Sequence, residues 1–167
     1  MIRTASLIAA ASFIVAACSG NVETTPKEDL ALADIPAEAL ASAQAAIPGF
    51  TPESAESETR NGTPYIDIEG ARPDGATVEL DMRFIDGAWE VVEIQRDISA
   101  DEVPQSVRAA LPDSAKAEDA ARIIESIQND GRVVYEFYHR QSDGSNAKTE
   151  VLLDGETAAL LDEEWEH

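Results

Sequence analysis

The chain has 167 residues, of which 33 are acidic and 12 basic, giving a formal net charge of −21, and it contains one cysteine. A surface this acidic excludes nucleic acid, whose phosphates need a basic face, and direct adhesion to anionic headgroups. One cysteine excludes an intramolecular disulfide, and the length holds one compact domain or two small ones.

The first element is an export signal. Met1-Ile2-Arg3 carries a positive charge and leads into an apolar stretch, Leu7 to Ala17, interrupted only by Ser12, which is the pattern of a signal peptide. The stretch is shorter than the roughly 20 apolar residues a spanning helix needs, and polar Ser19-Gly20-Asn21 follows it. Val15-Ala16-Ala17-Cys18 resembles the lipobox of bacterial lipoproteins, whose cysteine receives diacylglycerol through its sulfur. That resemblance implies cleavage after residue 17, lipid on Cys18, and a mature chain held in the bacterial cell envelope by that lipid. Burial of acyl chains contributes about 0.8 kcal/mol per CH₂. Ser19, where inner-membrane lipoproteins carry Asp, resembles the proteins sent on to the outer membrane and implies its periplasmic face. Lipidation also accounts for a lone thiol in an exported chain.

Residues 18–33 are polar with few large apolar groups and read as a flexible tether. From Asp34 the pattern becomes helical: Asp34 is an N-cap candidate, Pro36 stands in the first turn, and Ala39, Leu40, Ala43, Ala46 and Ile47 share a face until Pro48-Gly49 stops the run. Phe50 to Arg60 reads as an edge strand. Strand signals then follow pairs that tight hairpins prefer. Asn61-Gly62 precedes Tyr65 to Ile68, Asp74-Gly75 precedes Thr77 to Ile85, and Asp86-Gly87 precedes Trp89 to Ile94. In the second of these, Val78, Leu80, Met82 and Phe84 alternate with Glu79, Asp81 and Arg83, which makes one face apolar and the other polar.

The order then returns. Glu102 to Pro112 is a second short helix opened and closed by proline, Asp130-Gly131 leads into Val133 to Tyr138, Asp143-Gly144 into Lys148 to Leu153, and Asp154-Gly155 into Thr157 to Leu161. The turn pairs start at 61 and 74 in one half and at 130 and 143 in the other, an equal interval. The repeat divides the chain into residues 34–98 and 99–167. Ala117 to Gln128 reads as an amphipathic helix by periodicity, and repeat logic favours a strand over 121–128.

These elements, Ile35-Pro36 to Pro48-Gly49 with Tyr65 to Ile94 and Val103-Pro104 to Pro112 with Val133 to Leu161, resemble the tandem PepSY-like domains of exported bacterial proteins. Repeat 2 has Pro112-Asp113 where repeat 1 and the family have Pro-Gly. Such domains are related in architecture to the β-lactamase-inhibitor-like fold. The resemblance implies an α+β protein of two repeats, each a short helix packed on a three- to four-stranded antiparallel sheet. It further implies a binding module that recognises or inhibits an envelope partner such as a peptidase, and it brings no catalytic residues.

The residues themselves point away from an enzyme. Serine catalysis needs a poised histidine, and the two histidines are the terminal His167 and His139, which alternates in phase with Val133, Tyr135 and Phe137 at the core margin. A carboxylate-based hydrolase is the remaining catalytic alternative, although among 33 acids no pair stands out. No cofactor is expected. The Asp-Gly pairs lack the alternating oxygen ligands of an EF-hand loop, so no metal site is assigned, and weak divalent cation binding by the acidic surface is the residual expectation. A structural or cation-binding envelope lipoprotein is accordingly the second functional reading. For a protein partner the candidate contacts are Tyr138, whose ring is out of phase with Tyr135 and Phe137, Trp165, and Trp89, which otherwise belongs to the core.

Overall fold

A computed structural model describes residues 24–165. It contains one nine-stranded antiparallel sheet in which every strand lies beside its neighbour in sequence. The strands are β1 (Glu28–Asp29), β2 (Thr51–Arg60), β3 (Thr63–Ala71), β4 (Thr77–Ile85), β5 (Ala88–Asp97), β6 (Arg122–Gln128), β7 (Val133–Arg140), β8 (Asn146–Asp154) and β9 (Thr157–Leu160). Helix α1 (Ala37–Ala46) precedes β2, and α2 (Gln105–Ala110) lies in the long connection between β5 and β6.

The turn chemistry explains the meander. Asn61 and Gly62 both take positive φ, 50° and 80°, the requirement of a two-residue type I′ hairpin, and Arg60 pairs with Thr63 across them. The five-residue turns at 72–76, 128–132 and 141–145 use a different device. In each, an aspartate accepts a hydrogen bond from the backbone two residues on: Asp74 from Ala76, Asp130 from Arg132, Asp143 from Ser145. Gly70 answers a packing demand, since a Cβ there would stand 2.2 Å from the Thr51 carbonyl oxygen and 2.8 Å from the Phe50 ring.

Alternation sets the two faces. Ile66, Ile68, Val78, Leu80 and Met82 turn to the side on which α1 buries Ala39 and Ala43, joined by Ile35, Ile47 and Phe50. A second cluster lies further along that face, where Ile123, Tyr135, Phe137 and Val151 pack with Val103 and Val107 of the α2 segment. Between the two, Ile127 is exposed.

The expectation of two repeats, each a helix on its own small sheet, is overturned by the pairing of β5 with β6. Glu93 to Asp97 run antiparallel to Gln128 to Ile124, so the strands of both halves form one continuous sheet. Three side-chain links seal the seam: Arg96 Nε to Glu125 Oε2 at 2.6 Å, Arg122 Nε to Asp97 Oδ1 at 2.7 Å, and Gln128 Nε2 to Glu93 Oε1 at 2.6 Å. An unpaired strand edge is a template for aggregation, and this pairing removes two.

Smaller differences follow the same logic. Residues 117–119 make a single 3₁₀ turn and β6 starts at Arg122, the strand that repeat logic favours. The expected tether is ordered from Thr24 on: Thr24 bridges to Arg60 and β1 pairs with β2. Asp34 falls in a 3₁₀ turn before α1, and Pro36 takes the N-cap position. Residues 1–17 and Cys18 lie outside the described residues.

Candidate functional site

The face opposite the helices is polar, and strand register arranges its side chains in rows. One row crosses six strands in pairwise register: Asp29, Glu56, Asp67, Asp81, Glu93 and Gln128. The next contains Glu69, Glu79, Gln95 and Ser126. Further along, Glu136 faces Glu150, and Tyr138 stands between Arg122 and Lys148. Asp67, Asp81, Glu93, Glu136 and Glu150 are all buried. Like charges placed directly opposite destabilise a sheet, so these rows store repulsion.

A groove of about 800 Å³ runs along this face, bounded by Lys27, Tyr65, Glu79, Asp81, Glu93, Arg122, Tyr138, Lys148, Glu150 and Trp165 among others. At the β6–β8 end the carboxylates are satisfied by the protein's own groups. Trp165 donates its backbone N–H to Glu150 Oε2 at 2.7 Å and its indole N–H to Gln128 Oε1 at 2.9 Å. Lys148 reaches Glu150 at 2.8 Å, and the Tyr138 hydroxyl donates to Glu136 Oε2 at 2.5 Å. The Arg132 guanidinium lies over the Trp165 ring at 4.5 Å. The C-terminal segment thereby closes one end of the groove.

At the β2–β4 end positive charge is scarcer. The Lys27 ammonium pairs with Asp67 and stands 3.9 Å from Glu56. Carboxylate oxygens of Asp67, Glu79 and Asp81 lie within 4.8 Å of one another. Burial, followed by the charges of Asp67 and other acids, raises the pKa of Glu79 and lifts Asp81 well above the usual carboxylate range. Burial also raises Glu136, against the lowering effect of Tyr138 and Lys148. For Lys27 burial acts downward, but its hydrogen bond to Asp67 and the charges of Asp67, Glu79 and Asp81 outweigh it and raise the pKa. Glu79, Asp81 and Glu136 therefore bind protons more readily than isolated carboxylates do, chiefly because they are withdrawn from water.

Two of the sequence candidates meet here: Tyr138 and Trp165 both line the groove. Trp89 does not join them, because it packs against the first apolar cluster on the helix side, with its ring centroid 5.3 Å from that of Phe84. His139 lies on the helix side, its Nε2 3.0 Å from the Lys116 carbonyl oxygen. Cys18 lies outside the described residues. Sequence reasoning missed Lys27, Asp67, Glu79 and Asp81 as a group, since a linear metal-loop pattern cannot detect ligands assembled by cross-strand register. The available signal was Glu79-Leu80-Asp81 on a polar strand face, to be paired with Asp67 across β3.

No family model matches the chain, and neither the curated proteins nor the solved structures provide a match. Among the described residues no helix is long and apolar enough to cross a membrane.

Proposed function

We propose that the protein is a lipid-anchored binding module of the bacterial envelope, which recognises a basic segment of a protein partner through its acidic groove. The observation that carries this reading is the crowding of carboxylates in an open groove, where Asp81, Glu93, Glu136 and Glu150 are buried and Glu79 is half-buried. A lysine or arginine side chain entering there would relieve repulsion already present, so complementarity contributes to both affinity and encounter rate. Tyr65, Tyr138 and Trp165 add aromatic surface beside the acids, the residue types that anchor interfaces. The lipid and the envelope address rest on the resemblance of residues 15–18 to a lipobox. An envelope peptidase as partner rests on the PepSY-like motifs.

The test is binding of fluorescent peptides, matched in length and carrying lysine and arginine, neutral or acidic side chains, to the full chain in detergent. Basic peptides should bind with an affinity that falls with salt and drops at least tenfold in Glu136→Gln or Tyr138→Ala. Equal binding of neutral and basic peptides would sink the proposal.

A further inference from the structure

We infer that Asp67, Glu79 and Asp81 form a binding site for a calcium-sized divalent cation, and that the Lys27 ammonium is its displaceable resident. Asp67 and Asp81 are direct cross-strand partners on β3 and β4, and Glu79 lies two residues before Asp81 on the same face. An oxygen from each stands within 4.8 Å of the other two. Calcium holds its oxygens at about 2.3–2.6 Å, so two ligands of one ion stand at most about 4.6–5.2 Å apart. Magnesium, at about 2.0–2.1 Å, needs them within about 4.2 Å. Oxygens within that bound can gather around a calcium-sized ion, and three hard oxygen donors suit it chemically, whereas magnesium dehydrates reluctantly and keeps to one or two carboxylates with its own waters.

A second observation points to a ligand independently of charge. Asp67 is 5% exposed, and its Oδ1 meets no hydrogen-bond donor. A buried carboxylate oxygen in that condition is uncommon in folded proteins. Its other oxygen is held by Lys27. These acids are also not a solvated surface cluster, because Asp67 and Asp81 are both buried.

Lys27 shows that a cation can stand at this position. It is a single charge against three carboxylates, with Glu93 beside Asp81 as a fourth. Its side chain is 43% exposed and comes from the segment before β1, outside the main sheet, so a flexible stem can carry the ammonium away. Access is open from both sides: Glu79 and Asp81 border the large groove, while Asp67 and Glu79 border an adjoining cleft of about 200 Å³. Water from these spaces would complete the coordination shell. The site needs no protein partner, so its failure and that of the basic-segment reading are separable.

Isothermal titration calorimetry of the full chain in detergent, in chelator-treated buffer and with calcium chloride alone as titrant, tests it. One saturable site per chain is expected, with magnesium at least tenfold weaker. Asp67→Asn should weaken calcium at least tenfold, and Lys27→Met, which removes the competitor, should tighten it severalfold. Asp101→Asn, an exposed acid outside the groove, should change nothing. Should Asp67→Asn fail to melt as a folded protein, Glu79→Gln carries the same expectation. Absence of saturable binding, equal affinity in the Asp67 and Glu79 variants, no tightening in Lys27→Met, or a preference for magnesium would each overturn the assignment.

Discussion

Asp67 and Asp81 face each other directly across β3 and β4, both buried, a like-charged pair at a position where opposite charges would stabilise the sheet. Neutralising one should therefore help the fold. In metal-free buffer at pH 7, Asp81→Asn is expected to gain about 1 kcal/mol, or about 2–4 °C in melting temperature for a chain of this size. The gain should shrink as pH falls, because burial and the neighbouring acids raise Asp81 of the wild type well above the ordinary carboxylate range, so it takes up a proton before an ordinary carboxylate would. A lower melting temperature for the variant at pH 7 would show that the repulsion is relieved in some other way.

The same groove gives an unusual pH dependence. Folding raises the pKa of Glu79, Asp81 and Glu136, while the unfolded chain titrates them in the ordinary range near pH 4. Between those values the native state holds more protons than the unfolded state, so stability falls as pH rises through the window. Glu102, Asp130 and Asp143 have lowered pKa through hydrogen bonds to Ser99, Arg132 and Ser145. Their stabilisation is present above the ordinary range and is lost only as pH falls below it. Scanning calorimetry with chelator should give a higher melting temperature at pH 5 than at pH 7.5. The reverse order would contradict the assigned shifts.

How much of this could be read from residue order depends on which contacts are local. Asn61-Gly62 and Asp86-Gly87 encode their hairpins in two residues, and the alternation of Val78, Leu80 and Met82 with Glu79 and Asp81 marks the inner and outer faces of β4. Pro36 and Pro104 announce α1 and α2. The β5–β6 pairing has no such mark. Its strands are separated by residues 98–121, which carry two 3₁₀ turns and α2, and a repeat describes how each half pairs within itself but is silent about its outer edge. Strand β1 is only Glu28-Asp29, too short and too polar to signal. The site was hidden for a related reason: Tyr138 and Trp165 stand out as aromatics, whereas Asp67 becomes distinctive only once register sets it against Asp81. Phe84 shows the limit of alternation, being in phase with the inner residues yet partly exposed at the end of its strand.

The β5–β6 seam invites a direct energetic test. Arg96 reaches Glu125 at 2.6 Å and Glu102 at 3.1 Å, and the Tyr135 hydroxyl donates to the other Glu125 oxygen at 3.1 Å. Burial, then the Glu125 charge, pushes the Tyr135 phenol up to about 12. Because Arg96 is partly exposed, a double-mutant cycle of Arg96→Met with Glu125→Gln should give a coupling of about 0.5–1 kcal/mol from urea unfolding. A coupling near zero would reduce the pair to a solvent-screened contact and leave the backbone ladder as the seam's main support.

The sheet is continuous, but its apolar clusters are separate, and exposed Ile127 lies between them. Two independent cores would permit two unfolding steps. The seam opposes this, since melting either half alone would leave the β5 or β6 edge unpaired and break three side-chain links. Trp89 packs on the first cluster and Trp165 lies over the groove beside Gln128 and Glu150, so Trp165→Phe and Trp89→Phe leave one reporter for each half. Their urea midpoints are expected to coincide. Phe137, fully buried in the second cluster, supplies the perturbation: Phe137→Ala should cost about 3–5 kcal/mol and lower both midpoints together. A shift seen by Trp165 alone would mean that the seam transmits no stability and that the halves melt as separate units within one sheet.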